Sequence, residues 1–237
     1  AHKLRLAIEQ VTGIDLNWYF NQWYFSSGHP KVEINYAYDA DKKLASVFIK
    51  QTQASDKVFK LPIDIDVYHG FEKKRTTVWM EHRTDTFTFN VASKPDLINV
   101  DADKYLLWEK KDNKTTSEFI HQFKYAKNFV DRREAIDYCA KHKSEAAAFA
   151  LLKDALNDPY FKLRNRSLLA IQDTTLDAAT ISKIETMAKL DSKSYCRSYA
   201  INALAKTKDK KYMPLYLKAV YDSSYTVAAS ALEAIAA

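Results

Sequence analysis

The sequence has 237 residues and a mass of 27.3 kDa, with 47% hydrophobic and 28% charged residues and a mean hydropathy of −0.41. This composition is typical of a globular protein with an ordinary core, and it excludes collagen-like, disordered and membrane-spanning chains. The first 110 residues contain 15 basic and 15 acidic residues. The remaining residues contain 21 basic and 15 acidic residues, so the net charge of +6 comes from the second half. Two cysteines are too few for a disulfide scaffold.

The first 30 residues predict two short helices. Apolar residues recur with helical spacing at Leu4, Ala7, Ile8 and Val11. Gly13 predicts the end of this helix, and Asp15 is placed to cap a second one. The six aromatic residues between Trp18 and Phe25 need a large surface to cover them. Because the chain also lacks an initiating Met, we expect residues 1–30 to be the C-terminal end of a truncated helical domain of a larger protein.

The hydrophobic period then changes from helical to alternating. Alternating apolar sets begin at Val32, Val47, Leu61, Val78, Phe87 and Ile98. Six or seven short strands without intervening helices predict an antiparallel β-sandwich over residues 31–110. Pro62 should lie at an edge or at the start of its strand, and the charged run Lys110–Lys114 should be a linker.

Residues 111–237 contain only helical patterns and an internal repeat. Three similar stretches begin at Asp158, Asp191 and Asp222. Their matching core positions hold Leu163, Cys196 and Val227; Leu168, Ile201 and Leu232; Ala170, Ala203 and Ala234; Ile171, Leu204 and Ile235. An amphipathic helix precedes each Asp, and Asp131–Glu134 opens a degenerate earlier copy. The pattern predicts an α-α superhelix of HEAT-like repeats, whose last copy either meets further helices or tolerates being an end.

No residue is assigned to catalysis, to cofactor binding or to metal binding. None of the six His residues is followed by Glu, so the His-Glu-x-x-His zinc motif is absent from the sequence. Cys139 and Cys196 lack partners at metal-binding spacing and are expected to be buried, unreactive thiols. Asp64 and Asp66 share one face of a strand and are expected to be exposed to solvent.

The excess of basic residues after residue 110 could form a surface that binds nucleic acid. Its cations include Arg132, Arg133, Arg164, Arg166, Arg197 and the run from Lys206 to Lys211. Acids are interspersed among them and aromatic residues are absent from the run, so a solvated helical face is the better interpretation. We therefore predict no nucleic-acid partner and no membrane segment.

Several stretches together resemble one protein family. Val11–Trp23, with its Gly-x-Asp-Leu turn and aromatic helix, and the exit Gly28-His-Pro30 are similar to the end of the catalytic domain in the aminopeptidase N family of zinc metallopeptidases, the gluzincin aminopeptidases. Lys50–Gln53 and Asn99–Asp101 resemble its β-sandwich domain, and Asn128–Ala135 resembles the start of its helical domain. The resemblance covers the whole chain in order.

This resemblance implies a non-catalytic C-terminal fragment. The family's zinc ligands and substrate-binding strand precede the matching part, so none of those residues has a counterpart in this sequence. The sandwich would be a spacer and the helical array a cover over the active-site cavity, with the upstream catalytic domain and the peptide substrate as partners. Zinc and hydrolase activity are expected of the parent, and neither of this chain alone.

Two alternatives remain open at this point. Relatives with the same architecture but without catalytic residues serve as scaffolds, so the chain could be an interaction module. A free-standing adaptor would pack the aromatic helix from Trp18 to Phe25 within this chain, and broad exposure of Trp18 and Trp23 would count against it. The sequence predicts neither the compartment nor the amino-acid preference of the parent.

Overall fold

The computed structural model describes residues 1–236 and contains two compact units, Ala1–Lys114 and Thr115–Ala237. The first unit contains α1 (His2–Thr12), α2 (Asn17–Trp23), β1 (Lys31–Asp39), β2 (Leu44–Gln51), β3 (Leu61–His69), β4 (Glu72–Met80), β5 (Thr84–Asn90), β6 (Leu97–Val100) and β7 (Glu109–Asp112). The second contains α3 (Thr116–Tyr125), α4 (Phe129–Lys141), α5 (Ala146–Asp154), α6 (Phe161–Ile171), α7 (Ala178–Leu190), α8 (Ser194–Ala205), α9 (Met213–Ala219) and α10 (Tyr225–Ala236). Within these residues, no helix is both long and apolar enough to cross a bilayer.

The N-terminal helices begin and end close to the predicted positions. Gly13 has φ 70° and its N–H donates to the carbonyl of Glu9, which ends α1 as predicted. The N-cap of α2 is Leu16 rather than Asp15, although the Asp15 carboxylate accepts the N–H of Asn17 at 2.8 Å. No side chain of α1 is buried.

The strands form two small sheets with orders β5-β2-β1-β7 and β4-β3-β6. Their inward-facing residues share one hydrophobic core, which includes Val32, Ile34, Val47, Ile49, Leu61, Ile63, Ile65, Met80 and Val100. Alternation of these apolar residues with polar neighbours places one face of each sheet on this core. Pro62 lies at the start of β3, opposite Trp79 of β4 and outside the Ile65–Tyr68 segment that pairs with β6.

The prediction of a charged linker after the strands is wrong. Residues 109–112 form β7, which runs parallel to β1, whereas the other strand pairs are antiparallel. The Asp112 side chain is only 7% exposed there; it accepts a hydrogen bond from the Tyr36 hydroxyl at 2.6 Å and forms ion pairs with Lys110 and Lys114. Backbone hydrogen bonds to β1 and ion pairs hold β7 in the sheet. Its sequence therefore lacks the alternation of apolar and polar residues by which a strand is recognised.

Helix α2 packs against the strands of its own unit. The Trp23 ring centroid lies 5.5 Å from that of Phe59, and Trp18 meets Trp79 edge to face at 5.4 Å. The Gln22 carboxamide accepts from the Lys60 N–H at 2.7 Å and donates to the Lys60 carbonyl at 3.0 Å. Trp18 and Trp23 are therefore half-buried within this chain, as the adaptor alternative predicts, whereas Tyr24 and Phe25 are 54% and 51% exposed.

The second unit places helices α4, α6, α8 and α10 side by side, and the remaining helices pack against them. The predicted core positions Leu163, Cys196 and Val227 are all buried. Leu232 is an exception to the predicted repeat, because it is 55% exposed while Leu168 and Ile201 at the matching positions are fully buried. Leu232 lies on α10, which packs mainly against α8 and α9.

Candidate functional site

The described residues contain no zinc centre. Among residues 1–236, no three His, Cys, Asp or Glu side chains come together in a group that could hold a metal ion. The His29 ring lies 2.6 Å from Glu109, and the His82 ring lies 2.9 Å from Asp85. Each is a two-residue surface pair, whereas a zinc site needs at least three protein ligands. Zinc therefore does not fit the residues of this chain that the structure describes.

Both cysteine thiols are buried, as predicted. Burial raises the pKa of Cys139 to about 11, and the nearby Glu145 adds to this effect. Burial likewise raises the pKa of Cys196 to about 11, with a further contribution from Asp191. Since the thiolate is the reactive form of cysteine, burial makes both thiols poor nucleophiles near neutral pH.

Asp66 is buried, so the expectation that it is exposed to solvent is wrong. Its Oδ1 accepts from Arg75 Nε at 2.7 Å and its Oδ2 accepts from Lys73 Nζ at 2.6 Å. Burial alone would raise the pKa of this carboxyl, but the hydrogen bonds from Arg75 and Lys73 outweigh it and lower the pKa. Asp64 stays half-exposed and accepts from the Thr77 hydroxyl. The side chains of β4 cover Asp66 because β3 is the central strand of its sheet.

Three ion pairs connect successive helical repeats. In each, an arginine on one helix binds the aspartate before the next repeat's helix: Arg132–Asp158 at 2.7 Å, Arg164–Asp191 at 2.7 Å and Arg197–Asp222 at 2.8 Å. All six side chains are less than 20% exposed. Each aspartate also accepts the backbone N–H two residues later, which fixes the turn into the helix. We call this set the Arg–Asp ladder.

The internal repeat predicts the positions of these aspartates but not their arginine partners. Arg164 and Arg197 occupy the same position in two aligned copies, six residues after Asp158 and Asp191, which was the available signal. The third copy has Ala228 there. The arginines considered for a nucleic-acid surface are thus paired with carboxylates, except Arg133, whose guanidinium lies 5.9 Å from the Phe129 ring centroid.

Helices α6 and α8 form a surface pocket of about 400 Å³, here called the α6–α8 pocket. Its lining consists of Phe161, Lys162, Asn165, Arg166 and Leu169 from α6 with Tyr195 and Tyr199 from α8. On each helix these residues recur at intervals of three or four positions, so they share one face of the helix. Asn165 is the most buried of them, at 8% exposure, whereas Tyr195 is 56% exposed.

The first unit has a larger open cleft of about 670 Å³ between the edge strands β4 and β5. Half-buried Phe87 and Phe89 lie on its β5 side, and Thr76 and Val78 on its β4 side. Its lining contains no buried polar side chain. The polar groups that line the cleft, such as His69, Glu72 and Lys74, are therefore at least partly open to solvent.

Comparison with known proteins shows the fold. No model of a known protein family matches the sequence. The structure is similar, over 98% of its length, to the crystal structure of Legionella pneumophila aminopeptidase A in complex with aspartic acid, with a TM-score of 0.71 and 15% sequence identity. The chain spans about a third of that protein, 34% of its length. It therefore has an aminopeptidase-like fold of mixed α and β structure.

Proposed function

We propose that this chain is the non-catalytic C-terminal portion of a zinc-dependent aminopeptidase of the aminopeptidase N family, whose parent removes N-terminal amino acids from peptides. The observation that carries the proposal is the structural likeness, which extends through both units but covers only 34% of the Legionella enzyme. The catalytic residues would lie in the part that this chain does not match. The resemblance of Val11–Trp23 to the end of the family's catalytic domain supports the same order of domains.

In this proposal the two sheets form a β-sandwich that acts as a spacer. The helices form a HEAT-like array that covers the active-site cavity of the parent. The shared core of the two sheets supports the sandwich. The Arg–Asp ladder supports the array, since repeats that contact only their neighbours need equivalent contacts at each step.

The upstream catalytic domain is the proposed partner of α1. Leu4, Ile8 and Val11 are 49%, 36% and 87% exposed, and their helical spacing places them on one face of α1. Clustered apolar side chains of this kind mark a surface that another protein part covers. Zinc would be bound upstream, because the described residues do not fit it.

A catalytically inactive scaffold with the same architecture is the second candidate. The packing of Trp18 and Trp23 within the first unit favours instead a free-standing adaptor, whereas the exposure of Tyr24 at 54% and Phe25 at 51% favours a further covering domain. The two candidates differ in the metal ligands of the upstream part.

The first test is to sequence the coding DNA upstream of Ala1 and look for His-Glu-x-x-His followed by a downstream Glu. The upstream polypeptide would then be assayed for alanyl-arylamide hydrolysis and zinc content, alone and together with this chain. We expect turnover and bound zinc only where the upstream polypeptide is present. Replaced ligands upstream would overturn the enzyme proposal in favour of the scaffold, and stoichiometric zinc with turnover by this chain alone would overturn its non-catalytic role.

A further inference from the structure

Strand β5 is an open edge of its sheet. It pairs with β2 in a continuous register, and no other described strand pairs with it. The Gln51 N–H donates to the Arg83 carbonyl at 2.8 Å and the Val91 N–H donates to the Lys43 carbonyl at 3.0 Å, so the odd-numbered residues of β5 face β2. The N–H and C=O groups of the even-numbered residues therefore point away from the sheet. These residues are Thr84, Thr86, Thr88 and Asn90, which are exposed, and no hydrogen bond within residues 1–236 reaches their outward backbone groups.

The other sheet edges have features that prevent pairing. The edge strand β4 carries three adjacent cations, Lys73, Lys74 and Arg75. Strand β7 is short and charged, and β6 is short and buried. Charge, shortness and burial each keep an edge from pairing with another chain. Strand β5 has seven residues, Thr-Asp-Thr-Phe-Thr-Phe-Asn, without Lys, Pro or a bulge, so among the strands of residues 1–236 it alone lacks such protection.

The outward groups of β5 match those of a second β5 in one antiparallel register. In a pair centred on Phe87, Thr86 faces Thr88 of the second copy and Thr84 faces Asn90. Every outward N–H and C=O then has a partner. A pair centred on Thr86 or on Thr88 would leave Asn90 or Thr84 without one. The backbone therefore selects the register centred on Phe87.

The side chains of β5 suit the same register. The two Phe87 rings meet at its centre in a non-hydrogen-bonded pair, where side chains of opposite strands come closest. Asp85, the only charged residue of β5, falls opposite Phe89 of the second copy, so like charges do not meet. Aromatic and Thr–Thr pairs across strands stabilise a sheet. An unrelated peptide would have to reproduce this alternation of Thr and Phe, which the chain itself already supplies.

The cleft between β4 and β5 leaves room for the incoming strand. Its volume is about 670 Å³, and Thr76 and Val78 of β4 lie on the wall opposite β5. Phe87 and Phe89 of β5 are half-buried on the cleft side. Because side chains of paired strands share the faces of a sheet, Phe87 and Phe89 of the second copy would enter the same cleft.

We infer that two copies of this chain associate through β5, antiparallel and centred on Phe87, into a two-fold symmetric dimer. The dimer is closed, because the pairing uses the open edge of both copies. A seven-residue ladder lies at the small end of specific interfaces, so the expected Kd is on the order of 10 to 100 µM. This inference goes beyond the proposed function and does not depend on it.

The direct test is sedimentation velocity of the full chain from about 1 to about 500 µM, a range that brackets the expected Kd. We expect a reversible monomer–dimer equilibrium. Thr86→Lys/Thr88→Lys places like charges opposite each other across the two-fold axis, so it should weaken the dimer at least about tenfold. Thr86→Lys/Thr88→Glu places opposite charges at the same positions, so it should associate at least as tightly as the wild type.

These variants change only exposed side chains, so their melting temperatures should stay close to that of the wild type. Thr175→Lys/Ser192→Lys adds the same charge at exposed positions of the second unit and is the control. It should leave the Kd within about twofold of the wild-type value.

Three outcomes would overturn the inference. A chain that stays monomeric up to about 500 µM would leave the β5 edge to a different polypeptide. Dimerisation that Thr86→Lys/Thr88→Lys does not weaken would place the interface elsewhere. Equal weakening by the Lys/Lys and Lys/Glu variants would exclude the register centred on Phe87.

Discussion

Arg164 and Asp191 lie 27 residues apart and form a two-point ion pair, with Nη2 2.7 Å from Oδ1 and Nε 2.9 Å from Oδ2. Arg164 also donates from Nη1 to the backbone carbonyl of Asp158 at 2.9 Å. One guanidinium thus connects the aspartate of its own repeat with the aspartate of the next. Arg197 makes the same backbone contact with Asp191, again at 2.9 Å. The repeats are therefore joined by equivalent polar contacts as well as by their apolar core.

Arg164→Ala should destabilise the second unit strongly. It leaves the Asp191 carboxylate, which is 7% exposed, without its charge partner, and breaking a buried pair in this way costs about 3 kcal/mol or more. Urea unfolding monitored by circular dichroism measures the change. Lys206→Ala, which removes an exposed pair with Asp173, is the control and should cost less than about 1 kcal/mol. Equal effects of the two variants would show that the ladder does not stabilise the repeats.

The apolar core of the repeats could be predicted from the sequence, whereas the ladder left only the repeated position of Arg164 and Arg197 as a signal. Helical periodicity identifies positions such as Leu163 and Cys196, because burial repeats along each helix. An ion pair between residues 25 to 27 positions apart leaves no local pattern. Ala228 further obscures it by interrupting the Arg position in the third copy.

Strand β7 and the residue Asn165 also have features that the sequence pattern does not predict. Lys110 and Asp112 read as linker residues, since charge normally indicates solvent exposure. Their burial depends on the distant Tyr36 and on pairing with β1. In the pocket, the sequence alignment places Asn165 opposite Ser198, but only packing shows that one amide is unsatisfied while the hydroxyl is paired.

The buried pair Ser198–Ser230 provides a test of hydrogen-bond coupling between α8 and α10. Ser230→Ala should lower the unfolding free energy by about 1 kcal/mol or more, because the remaining hydroxyl is left buried and unsatisfied. The double variant Ser198→Ala/Ser230→Ala should cost less than the sum of the single variants. Exposed Ser192→Ala is the control. Additive effects would mean that the two hydroxyls do not depend on each other.

The cysteines should be protected from alkylation in the folded chain. With the pKa values of Cys139 and Cys196 raised to about 11 by burial, iodoacetamide at pH 8 should label the native protein at least about 100-fold more slowly than the unfolded protein. Mass spectrometry counts the labels. Ser55→Cys adds an exposed thiol that should react readily in the native state. Rapid labelling of the native cysteines would contradict their assignment as inert core residues.

Asp66 should make the first unit sensitive to acid. Its pKa is lowered in the folded state, so its contribution to stability is present above its ordinary unfolded pKa and is lost as pH falls through the lower folded value. The difference in unfolding free energy between the wild type and Asp66→Asn should therefore shrink as pH falls from about 6 to about 3. Exposed Asp41→Asn serves as the control. A difference that stays constant with pH would show that the Arg75 and Lys73 contacts do not select the ionised form.

Substitutions on the exposed face of α1 should affect association with an upstream domain and leave the stability of this chain unchanged. Leu4→Glu/Val11→Glu should change the unfolding free energy of this chain by less than about 0.5 kcal/mol, because neither side chain is buried. Phe20→Ala on α2 should cost about 3 kcal/mol, because that ring is only 2% exposed. If α1 contacts an upstream catalytic domain, the double variant should weaken association with the upstream polypeptide in analytical ultracentrifugation. Unchanged association would exclude this face as the contact, and destabilisation as large as that of Phe20→Ala would show that α1 packs within its own unit.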